Sequence, residues 1–446
     1  MAKIAIIGNG ISGITAARFT RKLCNDQIFV ISYESEYFFS RTALMYVYMG
    51  HMRWKDIEPY EPEFWEKNRI DLIKNRINRI DFDSKVLHFQ DGQSLQYDKL
   101  IIATGSKSNS FDWPGKHLQG VTGLYSKQDL ERIENLSSRM NRAVIVGGGL
   151  IGIELAEMFH SRKIPVTLIV RESEYWSNIL PPEEAKMISK HIREHHIDLK
   201  LETQLKEIID DGQGNVAAVI TDHGEKIPCK FVGLTVGVSP NIDFLKTSPL
   251  DIEKGILVND YLETNIPDVY AIGDCAQMRI PQVGRKNIEA VWYTGRMMGE
   301  TVAHTVCSQR TIYNPGIWFN SAKFFDIEYQ VYGTMPAKIN EPLQSFYWEA
   351  FQAKKSIRLV FDQDTMIIKG LNLMGIRFRH EVCDKWIRTE TKLDDIIANI
   401  RLAFFDPEFF EDVAPQFLQK YNSTFNKSIT LRSSNSLNAV LQFFKK

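Results

Sequence analysis

The sequence predicts an α/β fold with two parallel-sheet domains, the second inserted in the first, and a C-terminal α+β domain. Two observations carry the first part. GNGISG, with Gly8, Gly10 and Gly13, follows the apolar run KIAII, and GGGLIG, with Gly147, Gly149 and Gly152, follows AVIV. Both open into a helical pattern. A strand, a tight glycine turn and a helix start form a Rossmann-like pyrophosphate cradle. There the first glycine permits the turn, the second admits the phosphates and the third lets helix pack on strand. Ser12 belongs to the first cradle, and Leu150 and Ile151 to the second. Backbone N–H groups and the helix dipole hold the anion. Two cradles in one chain suit two dinucleotides, which is how a flavin is reduced by a nicotinamide.

The elements follow in order. The first unit reads strand (Lys3–Ile7), helix (Gly13–Leu23), strand (Gln27–Ser32). ESEYFFSRTALMYVYMG is too irregular for a plain connector and suits a loop wrapped around a cofactor. After a helix-like segment around Phe64–Lys67, RINRIDFDSKVLHFQDGQSLQYD reads as a hairpin with an Asp91-Gly92 turn, and KLIIATG as a strand. Pro114-Gly115 marks a boundary. A second strand–helix–strand unit runs from Ala143 through Pro165–Val170, then a hairpin within KEIIDDGQGNVAAVITDHGEKIPC and a closing strand in FVGLTVGVSP. DVYAIGDCA reads as a strand stopping on a helix start, placed back in the first domain. The expected domains are 1–112 with 250–315, 113–249, and 316–446. The last carries alternating runs (SFYWEA, KSIRLVF, TMIIKGLNLMGI) and helices from Lys392 to about Tyr421.

The totals bound the function. With 446 residues the chain holds two or three domains, and 44% apolar with 24% charged residues is ordinary for a soluble globular protein. A net charge of −1 argues against nucleic acid as a partner. The five cysteines (Cys24, Cys229, Cys275, Cys307, Cys383) contain no C-x-x-C pair, which fits a reducing, cytoplasmic setting and gives no sign of a zinc site, an iron–sulfur site or a disulfide framework. A strand already at residue 4 leaves no room for a signal peptide. No apolar run approaches the about 20 residues of a membrane span.

GNGISG, IIATGS, GGGLIGIELAEMF and VYAIGDCA, in this order, resemble the two-dinucleotide-binding-domain flavoproteins of the pyridine nucleotide–disulfide oxidoreductase superfamily. ISYESEYFFSRTAL is similar to the loop of rubredoxin, ferredoxin and nitrite reductase-type members, and EAVWYTGRMMGE to apoptosis-inducing-factor-like ones. The resemblance implies FAD at the first cradle, NAD(P)H at the second, and a third domain for dimerisation or acceptor docking. It places Glu34, with Glu36 as the fallback, on the adenosine ribose. Asp274, beside Gly273, falls on the flavin ribityl chain unless it is merely a helix cap. It also assigns Ala103, Thr104 and Gly105 to the turn passing the flavin, with Arg41 and Gly237 among the cofactor contacts.

The sequence departs from that pattern at three places. No redox cysteine is present: TALMYV puts Thr42 where the one-cysteine subgroup has its thiol, and a hydroxyl is neither a thiolate nucleophile nor a source of sulfenic acid. Electrons are therefore expected to leave directly from the flavin. Tyr46 stands where related reductases often have a lysine beside the flavin; it either contacts the ring or packs. Arg171 follows the strand PVTLIV where NADH-preferring members carry a glutamate. It either pairs a 2′-phosphate, favouring NADPH, or is a solvated loop charge.

Glu154 resembles the acid near the nicotinamide. Trp292, with Tyr293, either shields the flavin face or belongs to the core. RFRHEVCDKW reads as a solvated basic loop or a docking patch, and His195-His196, without metal-like companions, as a surface pair; no metal is expected. Leu437, Val440, Leu441 and Phe444 have the spacing of an amphipathic helix, capped by Asn435 or Ser436 and ended by Lys445-Lys446. It would rest on a membrane, its own domain or a dimer mate. The expected function is an FAD-dependent NAD(P)H oxidoreductase and likewise a homodimer. Its electrons would pass to a small redox protein; the alternatives are a membrane-surface quinone reductase and an NAD(P)H-responsive sensor.

Overall fold

The computed structural model describes residues 1–350, 354–405 and 411–432. They form two compact units: Met1–Arg171 with Thr203–Pro315, and Glu172–Glu202 with the residues from Gly316 on.

In the first unit a parallel sheet has the order Val269–Ala271, Lys99–Ile102, Lys3–Ile7, Gln27–Ser32, Ile70–Lys74. Its strands read as near-continuous apolar runs because helices or loops cover both faces. Ile4, Ile6, Ile28, Leu100 and Ile102 are fully buried. Helix Ile11–Leu23 packs along helix Trp292–Val306. The strand Val269–Ala271 pairs with Lys99–Ile102, so the chain does return to its first sheet after the insertion.

The inserted part builds its own parallel sheet, in the order Val166–Ile169, Ala143–Val146, Phe231–Leu234, Val121–Thr122, with helix Leu150–Ser161 following the second glycine turn. Both expected hairpins are three-stranded. One is Ile77–Asp81, Val86–Phe89 and Ser94–Gln96; the other is Leu205–Asp210, Val216–Thr221 and Lys226–Pro228. FVGLTVGVSP holds two strands, Phe231–Leu234 and Val238–Pro240, divided by Gly237 at φ +91°. DVYAIGDCA does not stop on an α-helix. Gly273–Cys275 is a single 3-10 turn that runs into another strand, Ala276–Met278.

The second unit carries an antiparallel sheet in the order Phe319–Phe324, Ile327–Gly333, Ile368–Met374, Ser356–Asp362, Leu343–Glu349. Helices His380–Arg388, Leu393–Ala398 and Ala414–Phe425 supply Trp386, Ile396, Phe417 and Tyr421 to its core. Residues 172–202, expected inside the second dinucleotide domain, group here instead. The reason is side-chain chemistry. Helix Pro182–Glu194 buries Met187, Ile188 and Ile192, and its Glu184, fully buried, accepts hydrogen bonds from Arg358 Nε at 2.8 Å, Arg358 Nη2 at 2.9 Å and Asn372 Nδ2 at 3.1 Å. Trp176 lies 5.4 Å, centroid to centroid, from both Phe324 and Tyr329.

Two further expectations change. RFRHEVCDKW is not a basic loop: it contains the start of helix His380–Arg388, Cys383 is fully buried, and His380 packs on Phe319 at 4.5 Å. His195 does have companions, because the helix sets His191 one turn earlier and the turn after Phe324 brings in Asp326. The amphipathic segment Leu437–Phe444 lies outside the described residues. Among the described residues no helix is long and apolar enough to cross a membrane.

Candidate functional site: a cofactor cavity in the first unit

At Gly8 the chain turns back at φ +115°, and a Cβ there would stand 2.1 Å from the carbonyl oxygen of Ala103. Only glycine lets the two strand ends approach so closely. Gly13 likewise permits contact, since a Cβ would lie 2.0 Å from Gly8 O. Helix Ile11–Leu23 then starts from Gly10. Gly8, Gly10 and Ser12 line a cavity of about 990 Å³, and the first turn of the helix starting after Gly10 faces it with its N-terminal N–H groups. That volume lies at the upper end of small-molecule sites.

One end of the cavity is fixed by Glu34. Its carboxylate takes a bidentate pair from Arg41 at 2.8 and 2.7 Å and a hydrogen bond from Lys127 N at 2.9 Å. Arg41 stacks over Tyr125, 4.6 Å from the ring centroid, and donates to the Tyr125 carbonyl. The irregular loop after Ser32 supplies Glu34, Phe38, Phe39, Arg41, Thr42 and Leu44 to the wall, as expected of a segment folded around a ligand.

Farther along, Asp274 is a partly buried carboxylate. Its Oδ2 accepts from Ser106 Oγ at 3.0 Å and Tyr125 Oη at 3.3 Å, while Tyr125 Oη accepts from Ser106 N at 2.8 Å. It does not cap a helix. Burial pushes its carboxyl above the ordinary range, against the pull of those two hydroxyls and of Arg41. A carboxylate accepts about four hydrogen bonds, so it retains capacity for ligand hydroxyls. The glycine turn, the Glu34–Arg41 pair and this carboxylate fit FAD, and these residues would hold it. Ala103, Thr104 and Gly105 line the same wall.

The second cradle shows the same backbone. Gly147 has φ +119°, with a Cβ there only 2.4 Å from Thr235 O, and beside Gly149 there is open space. Ile151 and Glu154, from helix Leu150–Ser161, reach the first cavity, where Trp292 opens helix Trp292–Val306. Gly147, Gly149, Leu150, Gly152, Arg171 and Gly237 lie off that cavity, and Arg171 is exposed. Gly273 is also off it, set behind Ser12 by a turn with φ +70°. Tyr46 is not on the cavity wall; its ring faces His51, 6.3 Å away. It sits two residues, about half a turn, past Leu44, the residue of helix Leu44–Tyr48 that does line it.

Sequence reasoning missed Ser106 and Tyr125. Ser106 directly follows the IIATG motif. Ser126 and Asp129 form a capping box, and that S-x-x-D signal places Tyr125 at the entrance of helix Lys127–Ser137. Thr42 faces the cavity where a relay thiol is absent. Cys275, next to Asp274, is fully buried and donates to Ile102 O and Ile272 O, and burial pushes its thiol up.

Comparison with known proteins agrees with this geometry. The chain is 27% identical over 311 residues to rubredoxin-NAD(+) reductase of Pseudomonas putida, covering 69% of this chain and 80% of that one. It is 28% identical over 280 residues to nitrite reductase [NAD(P)H] of Bacillus subtilis, covering 62% of this chain but only 34% of that longer protein. In fold it is similar to the NAD-dependent persulfide reductase of A. fulgidus, with TM-score 0.82 at 21% identity over 95% of this chain and 84% of that one. The family model for pyridine nucleotide-disulphide oxidoreductases matches residues 2–299. The chain belongs to that family and is an FAD-dependent NAD(P)H oxidoreductase.

Proposed function

We propose that the protein oxidises NAD(P)H and delivers the electrons to a small redox protein of the rubredoxin or ferredoxin kind, with no cysteine relay. One observation carries this reading: Ile151, Glu154 and Trp292 share a cavity with the Gly8 turn and Asp274, while the relay position is Thr42. The acceptor class is supported by the rubredoxin reductase relative.

When bound, FAD supplies a two-electron acceptor for the nicotinamide and an outlet of electrons to the partner. The chain's own task is placement. The first-turn N–H groups at Gly10 to Ser12 hold the pyrophosphate, the Glu34–Arg41 pair holds the ribose end, and Asp274 accepts from the ribityl hydroxyls. Gly147, Gly149, Leu150 and Gly152 hold the second dinucleotide. Phe38, Phe39 and Leu44 line the wall with apolar surface, and Trp292 and Glu154 are the residues that would orient the nicotinamide in this cavity, where a small misplacement costs rate. Arg171 pairs the 2′-phosphate of NADPH, and Gly237 with Gly273 shapes the turns behind. We place the protein in the cytoplasm as a homodimer, its third domain facing the acceptor.

Anaerobic stopped-flow reduction with NADH and NADPH in parallel tests this. Flavin bleaching in milliseconds, faster with NADPH, followed by reoxidation on adding oxidised rubredoxin or ferredoxin, is the expected result. Bleaching over minutes, or reoxidation by a quinone and by no protein carrier, overturns it.

A further inference from the structure

The second unit brings together three side chains of metal-ligand chemistry that the reductase reading does not use. His191 and His195 stand four residues apart at the end of helix Pro182–Glu194, so their rings share a face. Asp326 comes from the tight turn between strands Phe319–Phe324 and Ile327–Gly333. Asp326 Oδ1 accepts a hydrogen bond from His191 Nε2 at 2.5 Å, a proton that metal binding would release, and lies 3.8 Å from His195 Nε2. One ligand atom from each residue lies within 4.8 Å of the others.

The orientation is that of ligands held ready. His195 Nδ1 is 3.0 Å from the carbonyl oxygen of His191. A carbonyl only accepts, so the proton is on Nδ1 and the lone pair on Nε2, on the Asp326 side. Such a backbone hydrogen bond fixes tautomer and ring direction in metal-binding histidines. The ring is also stacked on Phe325, with centroids 4.1 Å apart and planes at 14°. His191 is buried, with Glu194 Oε2 3.5 Å from its Nδ1 as a carboxylate behind the ligand. Asp326 is exposed, so an ion has a way in. Lys354 Nζ holds the other oxygen, Oδ2, at 3.0 Å and leaves Oδ1 to face the histidines. A tetrahedral ion with bonds of about 2.0–2.2 Å sets neighbouring ligand atoms roughly 3.4 Å apart. The His195–Asp326 spacing is near that value, and rotation of the exposed Asp326 side chain opens the shorter one.

We propose that His191 Nε2, His195 Nε2 and Asp326 Oδ1 bind a divalent transition-metal ion, Zn²⁺ in the first place, with solvent completing its shell. Two imidazoles and one carboxylate suit zinc, and Ca²⁺ or Mg²⁺, which take oxygen ligands, poorly. Zinc has no redox chemistry, so the ion would pin the helix end to the sheet turn rather than carry electrons.

The test is titration of the full-length, FAD-loaded, chelator-stripped protein with ZnCl₂ against a chromophoric chelator. One equivalent bound with micromolar or tighter affinity is expected, together with a zinc-dependent rise in melting temperature. His195→Ala and Asp326→Asn, on the more open side of the cluster, are each expected to weaken binding at least about tenfold and to remove the rise. No stoichiometric binding, or equal affinity in wild type and both variants, as zinc held on cysteines would give, overturns the proposal.

Discussion

The two glycine cradles of the first unit differ in what surrounds the same turn. Gly8 and Gly147 adopt nearly the same φ, +115° and +119°, and each tolerates no Cβ because a carbonyl oxygen from the neighbouring strand lies within about 2.4 Å of where it would stand. After the first cradle the second strand leads to Glu34, locked by Arg41 and by Lys127 N into the wall of a cavity. After the second cradle the equivalent strand, Val166–Ile169, leads to Arg171, exposed at the surface. On the proposed reading, a turn of one shape would serve a resident cofactor where loops close over it and an exchangeable one where they do not, with affinity set by what the flanking segments add to the same backbone.

The largest expected effect comes from breaking one turn at a time. Gly8→Ala should yield protein that purifies without flavin, because the added methyl forces the strand ends apart. Gly147→Ala should keep its flavin while reduction by NAD(P)H falls by about 100-fold, roughly 2.7 kcal/mol. Absorbance spectra and stopped-flow rates on both variants check this. Flavin loss from both would end the division of labour between the cradles.

A smaller effect is expected on the resident side alone. Asp274→Ala should weaken FAD binding about 10- to 100-fold, or ~1.4–2.8 kcal/mol, by removing a partly buried acceptor and stranding the hydroxyls of Ser106 and Tyr125. Tyr125→Phe should cost less, about 1 kcal/mol, as the loss of one hydrogen-bond partner. Flavin release during dilution measures both, and unchanged release would leave Asp274 without its assigned role. On the exchangeable side, Arg171→Glu should lower kcat/KM for NADPH about tenfold against NADH, since a carboxylate repels the 2′-phosphate. Equal change for the two coenzymes would make Arg171 a mere surface charge. Smallest of all, Tyr46→Phe should stay within about twofold of wild type in both half-reactions, its ring being off the cavity wall; a larger loss would return it to the flavin.

Much of the first unit was legible because its signals are local. A glycine forced to positive φ, a β-branched run before it and a carboxylate about 20 residues on lie in one short stretch. Gly8 and Glu34 could therefore be singled out from the local pattern, and Asp274 from the family resemblance; all three line one cavity. Tyr125 could not, since its value rests on a hydroxyl reaching Asp274 across 149 residues of chain. For Tyr46 the sequence left ring contact and packing open, for the complementary reason. Counting positions along a loop ignores the helix Leu44–Tyr48, which turns that side chain off the cavity wall. His195 illustrates the same limit, because Asp326 reaches it from a distant strand turn.

By itself, the sequence determined the two cradles, the succession of strands around them, the lack of a relay thiol and the oxidoreductase family, since each depends on residue identity within a few neighbouring positions. Tertiary structure decided that helix Pro182–Glu194 packs with the C-terminal unit through the buried Glu184–Arg358 pair. It also decided that Ser106 and Tyr125 support Asp274, and that two histidines meet an aspartate. Those outcomes depend on which distant groups satisfy a buried charge or hydroxyl, and local pattern does not encode that choice.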